Sequence, residues 1–248
     1  MNVKNFLAIL ALGTLMFTSC KKDSGYETVN DACGNSYRVV SIDGQYWLED
    51  NIRCNKYDTE SEMAGSVIAT ADSETEEPYY TNYADTINWS NQPFAGKLSD
   101  DQKSKLGYLY NWAAAMGYKS AAEASSQTWV YVGSRQGVCP NGFRIPTAND
   151  FKILSDCYGA DDKSGAVLKT RSGWYGVNTS HVSSVFAALP AGYADGKDSE
   201  QIGYDTHFIS ADAYKNDIIT RTIVAEQTTF LPDTVGRVTA YSVRCIKK

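Results

Sequence analysis

The chain has 248 residues, 43% of them hydrophobic, with 23 Lys and Arg against 29 Asp and Glu and a formal net charge of −6. That length suits one large domain, or a domain carrying a long insertion. The acidic balance argues against a nucleic-acid partner, because phosphate binding needs clustered Lys and Arg to release counterions.

The N-terminal stretch MNVKNFLAILALGTLMFTSC has a basic start at Lys4, an apolar run from Phe6 to Phe17, and small residues ahead of Cys20. The run is shorter than the ~20 residues a spanning helix needs, so residues 1–19 read as a cleavable secretory signal. The segment before Cys20 is similar to a lipobox, with Phe17 where leucine is usual. Cys20 is therefore the expected lipidation site. Several acyl chains on one residue, at about 0.8 kcal/mol per buried methylene, make a stable anchor. The expected location is the cell envelope, lipid-anchored at the outer membrane and facing either the periplasm or the surface.

Residues 20–32 are polar and suit a lipidated tether, and the fold is expected to begin near Cys33. From Tyr37 to Leu48, YRVVSI and QYWL flank Asp43-Gly44, a dipeptide that supplies the positive φ angles of a tight hairpin. Between Tyr57 and Gly96 there is no Lys or Arg, whereas Asp58, Glu60, Glu62, Asp72, Glu74, Glu76, Glu77 and Asp85 are acidic. This stretch, about 58–92, reads as a solvated insertion. Ser99 with Gln102 predicts a capping box and a short helix. An alanine-rich helix is predicted over Trp112 to Met116, closed by Gly117, and the serine-rich sequence after it reads as a loop. Thr147 is placed to cap a further helix with Asp150, its buried face drawn from Phe151, Ile153, Leu154 and Cys157, and Gly159 to end it. Beyond that point SVFAALPAG, THFISAD, ITRTIVAE and RVTAYSVRCIKK read as short strands of an antiparallel sheet. The order of elements implies an α+β domain over residues 33–248.

Several of these segments carry a resemblance. DGQYWLEDNI, GYLYNWAAAMGY, CPNGFRIPTANDF, SGAVLKTRSGWYG, FAALPAGYADG and YSVRCIKK occur in the order and spacing of the Fibrobacter succinogenes major paralogous domain family. The stretch from Asp58 to Gln92 matches it less well. The resemblance implies a fold similar to C-type lectin-like domains and to the formylglycine-generating enzyme superfamily, with two or three helices, a twisted antiparallel sheet and the N-terminal hairpin. It also implies a secreted or surface lipoprotein of Bacteroidetes or related bacteria. It further implies that Cys139 pairs with Cys245, tying a helix entry to the final strand, while Cys33 with Cys54 would clamp the opening hairpin. Outside a reducing cytosol such pairing is open to all five cysteines after Cys20, and the odd count leaves at least one free or pairing between chains. Cys157, on a helix face, reads as a buried thiol rather than a functional one.

Chemistry-bearing patterns are sparse. The two histidines, His181 and His207, lie near no Gly-x-Ser-x-Gly elbow. Zinc-type spacing is absent. A formylglycine-generating activity would need paired redox cysteines near the C-terminus, where only Cys245 stands. Glu77-Pro78-Tyr79 and Trp89-Ser90-Asn91 merely echo the calcium-and-sugar loops of lectins. No catalytic residue, metal site or cofactor is therefore expected. Aromatic side chains beside Gly-rich turns can still stack on sugar rings, and Trp174, Tyr175 and Tyr193 are the candidates. Trp47 and Trp112 read as core. The functional expectation is a non-catalytic binding or adhesion module for a glycan or a surface protein, and the alternative is a structural subunit of an envelope or fimbrial assembly.

Overall fold

The computed structural model describes residues 27–61, 63–71, 75–83, 87, 89, 92–95, 98–127, 135–176 and 185–248. Cys20, His181 and the N-terminal signal lie outside them. The architecture is α+β, dominated by two mostly antiparallel sheets with short helices around them.

The hairpin forms as predicted. β2 (Ser36–Ile42) and β3 (Gln45–Leu48) pair with Val40 opposite Trp47, and Asp43 (φ 48°) and Gly44 (φ 80°) take the left-handed angles of the two-residue turn. A strand precedes them. β1 (Glu27–Asn30) lies antiparallel on β2, with Thr28 opposite Arg38, so ordered structure is present ahead of Cys33, where the sequence placed the start of the fold. Thr28 and Val29 are β-prone, and Val29 packs on the core. On the other side of the hairpin, β3 pairs with the C-terminal β14 (Ile246–Lys247), and β14 with β7 (Phe143–Arg144), completing a five-stranded sheet that brings the first described strands beside the C-terminal one.

The second sheet has seven strands in the order β12-β11-β10-β13-β6-β5-β4: β4 (Ala69–Thr70), β5 (Tyr79–Thr81), β6 (Leu109–Tyr110), β10 (Asp205–Tyr214), β11 (Asp217–Val224), β12 (Leu231–Gly236) and β13 (Tyr241–Ser242). β8 (Tyr193–Asp195) and β9 (Asp198–Glu200) form a separate hairpin. The acidic stretch is thus not wholly a solvated insertion, because Tyr79, Tyr80 and Thr81 are buried in β5, between β4 and β6 of this sheet. SVFAALPAG is not a strand. It runs as irregular backbone with isolated bridges at Ala188 and Gly192, and Ala187 turns it at φ 46°. RVTAYSVRCIKK divides into β13 in one sheet and β14 in the other.

Five short helices surround the sheets among the described residues: α1 (Asp100–Lys105), α2 (Trp112–Met116), α3 (Ala121–Ser125), α4 (Ala148–Cys157) and α5 (Ser164–Leu168). Two or three were expected. The addition of α3 within the serine-rich stretch follows from Ser120, whose hydroxyl accepts from Glu123 N at 3.3 Å. The capping boxes at Ser99 and Thr147 form, and Gly117 closes α2 at φ 71°. On α4, Phe151 and Leu154 are buried, but Ile153 is 39% exposed because it lies far round the helix from Phe151. Cys157 is only partly buried against the same core cluster, and it is disulfide-bonded, not the buried thiol the sequence led us to expect.

Buried polar groups lock these elements together. Arg244, fully buried, donates to Asn51 Oδ1 from Nε (3.0 Å) and Nη2 (2.8 Å), and from Nη1 to the carbonyls of Leu48 and Phe186, with its guanidinium 4.4 Å from the Phe186 ring. Asn51 in turn donates to Leu106 O at 2.8 Å. Arg144 forks onto Asp150 (2.6 and 3.0 Å), which also accepts from Thr147 N and Oγ1, both at 2.7 Å. Both cysteine pairings form: Cys139–Cys245 spans 106 residues with Cα atoms 5.9 Å apart, and Cys33–Cys54 spans 21 residues at 5.5 Å.

Candidate functional site

The three aromatic candidates sit in different surroundings. Trp174 is 1% exposed; its indole N–H donates to Thr170 Oγ1 and Ala188 O, each at 3.2 Å, and Lys169 Nζ lies 5.1 Å over its ring. No face of it is open for stacking on a sugar. Tyr175 is 40% exposed and packs edge-on to Phe94 at 4.6 Å, while its backbone N–H donates to Gly203 O at 2.7 Å. Tyr193, half-buried on β8, meets the His207 ring at 6.0 Å and Tyr241 at 6.4 Å. Burial first, then the carboxylates of Asp195, Glu200 and Asp205, raises its phenol above the usual tyrosine range. His207 makes a cross-strand contact, its Nδ1 2.9 Å from Thr222 Oγ1, and its Nε2 stands 3.6 Å from Asp205.

A cleft of about 340 Å³ opens elsewhere, between the end of β5, α1 and the entry to β6. Its volume falls within the range of small-ligand sites. The aromatic part comes from Tyr83, Trp89 and Tyr108. Tyr83 is buried, and its hydroxyl donates to Ala191 O, which fixes the ring 6.4 Å from Trp89. Burial and then Asp205 push the Tyr83 phenol well above its ordinary range, so it is a hydrogen-bond donor and not an acid. Tyr108 stacks on Tyr80 at 5.0 Å.

The polar part of the cleft comes from Asn82 and Ser104, and its charged part from Arg53 and Lys103. Arg53 follows β3; its guanidinium lies 4.8 Å over Tyr37 and donates to Ser36 O at 3.3 Å. Lys103 stands on α1 with Nζ 5.2 Å from the Trp89 ring. Gly107 completes the lining. It adopts φ +80°, and a Cβ there would meet Asn51 Cβ at 2.6 Å and Ile52 O at 2.7 Å, so a side chain at this position would displace the segment beneath the cleft.

Trp89 entered the sequence reading only through Trp89-Ser90-Asn91, as a faint echo of a calcium-and-sugar loop, and not as an aromatic candidate. Its further signal is a tryptophan in a stretch without cations, and the Arg and Lys that join it come from outside that stretch.

Among the described residues one group of potential metal ligands converges, Asp31 with Cys33 and Cys54. The two sulfurs form the disulfide, and the Asp31 carboxylate already accepts from Tyr37 Oη (2.6 Å), Cys33 N and Asn35 N. No described helix is long and apolar enough to cross a membrane.

The Fibrobacter succinogenes major domain matches residues 40–247. The chain belongs to this family. Neither a curated protein nor a solved structure matches it. In this Fibrobacter succinogenes major domain the motif residues serve architecture. Arg244 of YSVRCIKK holds Asn51 of DGQYWLEDNI; Arg144 of CPNGFRIPTANDF holds Asp150 of the same motif; Asn111 of GYLYNWAAAMGY caps α2 through Ala114 N at 3.0 Å and binds the Glu77 carbonyl at 2.8 Å. Within the cleft, Gly107 and Tyr108 belong to such a motif, whereas Asn82, Trp89, Lys103 and Ser104 do not.

Proposed function

We propose that this protein is a cell-envelope lipoprotein, tethered by lipid on Cys20, whose domain is a non-catalytic binding module recognising a glycan on a C-type lectin-like scaffold. The observation that carries the binding role is the cleft, where aromatic rings, an amide, a hydroxyl and two cations converge on a space of ligand size. Aromatic faces bind pyranose rings without a metal, and Asn and Ser add direction through hydroxyl contacts. The lectin-like reading draws support from the pairing of the opening hairpin with the last strand, the helix that follows CPNGFRIP, and the Cys139–Cys245 bond. The lipid tether rests on the lipobox-like sequence before Cys20.

Radiolabelled palmitate should enter the wild-type protein and not Cys20→Ala, and label retained in the variant would overturn the tether. For binding, the full-length protein in detergent should retain one or more glycans on an array, unaffected by chelator. Trp89→Ala should lose them and Tyr193→Ala should keep them. Absence of any glycan signal, or signals unchanged by Trp89→Ala, would overturn this reading.

A further inference from the structure

Among the described residues, the two charged side chains that line the cleft, Arg53 and Lys103, are both cationic, and no described carboxylate lines it. The stretch from Tyr57 to Gly96, the source of Asn82, Tyr83 and Trp89, has no Lys or Arg, so both cations come from outside it. The cations are brought in from both sides, one from the segment after β3 and one from α1. Their carboxylate partners stand away from the cleft and hold them loosely. Asp100, fully exposed, is 3.3 Å from Lys103 Nζ, and Asp50 is 3.7 Å from Arg53 Nη1, beyond hydrogen-bond distance. Pairs of this kind contribute little in water. An ammonium has three donors and a guanidinium five, so each cation keeps capacity for an incoming anion.

We infer that the cleft takes an acidic saccharide, a glycan bearing uronic acid, with its carboxylate between Lys103 and Arg53 and its ring against Trp89. This deepens the proposed glycan-binding reading and rests on it. The flat rings of Trp89 and Tyr108 suit a pyranose face, and Asn82 and Ser104 suit its hydroxyls. An extended acidic peptide fits less well. Peptides are commonly captured along a free strand edge, but β5 beside the cleft is paired on both sides, with β4 and β6, and β6 is paired with β5 and β13.

The test is calorimetric titration of the full-length protein in detergent with tetragalacturonate, with its methyl ester, which keeps the sugar and removes the charge, and with oligoglutamate. The acid should bind about tenfold or more tightly than the ester, as a charge-assisted hydrogen bond implies, and its binding should weaken as salt is raised. Lys103→Gln, on an exposed helix, should weaken the acid by about fivefold or more and the ester by much less, and Lys103→Arg should restore the acid. Trp89→Ala should weaken both sugars. Equal affinity for acid and ester, or no effect of Lys103→Gln, would overturn the acidic specificity while leaving glycan binding intact. Oligoglutamate binding as tightly as the sugar, unaffected by Trp89→Ala, would overturn the saccharide in favour of a peptide. No binding by either sugar, with an empty array, would remove both readings.

Discussion

Lys169 shows what one buried side chain imposes on the molecule. It is 2% exposed, and its ammonium donates to Ala225 O at 2.7 Å and Gln227 O at 2.6 Å while lying over Trp174. Burial lowers its pKa to about 8, against roughly 10.4 in an unfolded chain. Between those values the unfolded state holds the proton more tightly than the folded state, so this group makes stability rise with pH. From pH 7.5 to 9.5 the gain should be about 1–2 kcal/mol. Lys169→Met has no such proton, so denaturant unfolding of the two proteins across that range should show the wild type gaining by this amount relative to the variant. A difference that stays flat with pH would mean Lys169 remains charged in the fold to pH 9.5. The sequence could not reveal this, because a lysine after an apolar run reads as a helix end and its burial depends on β11 and the loop after it, more than fifty residues away. Arg244 is a parallel case. Burial pulls its pKa down to about 10, and its partner Asn51 lies 193 residues off in the chain.

Elements governed by local chemistry were legible, and those governed by distant pairing were not. The Asp43-Gly44 hairpin and the caps at Ser99, Thr147 and Gly117 depend on a few neighbouring residues, and each is where the sequence places it. β10 and β11 also follow their apolar patterns, joined by the turn at Lys215. RVTAYSVRCIKK misled because its apolar residues alternate as one strand would, yet Val243 and Cys245 use their carbonyls to bridge Ile52 and Leu48 as the chain passes from one sheet to the other. Tyr79-Tyr80-Thr81 carried a β signal of its own, but its acidic flanks gave the surrounding stretch the character of a solvated loop. The cleft was the least legible feature, since its lining comes from four separate segments and its walls exist only once β5, β6 and α1 are in place. The cysteine pairing followed from the family resemblance and not from spacing.

At the scale of the whole molecule, the chain passes between the two sheets several times, most directly at Val243 to Cys245 between β13 and β14, and the Cys139–Cys245 bond sits at that crossing. It joins the loop leading to β7 to the residue before β14, so it reinforces the five-stranded sheet that holds β1 to β3 and the C-terminal strand. In the chain-entropy picture, closing 106 residues restricts the unfolded state by about 4–5 kcal/mol, whereas the 21 residues between Cys33 and Cys54 give about 3 kcal/mol. At roughly 2–4 °C per kcal/mol for a domain of this size, the Cys139→Ala, Cys245→Ala double variant should melt roughly 10–15 °C below the wild type by calorimetry. The Cys33→Ala, Cys54→Ala variant should fall by less. Cys139 and Cys245 are both fully buried in one core cluster, whereas in the second pair Cys54 is buried there and Cys33 is exposed, so the second pair should lose less packing as well as less loop closure. A larger drop for the Cys33–Cys54 variant would contradict the entropic ordering and locate the clamp's value in the native contacts around Asp31, Asn35 and Tyr37, which that bond holds against the segment following β3.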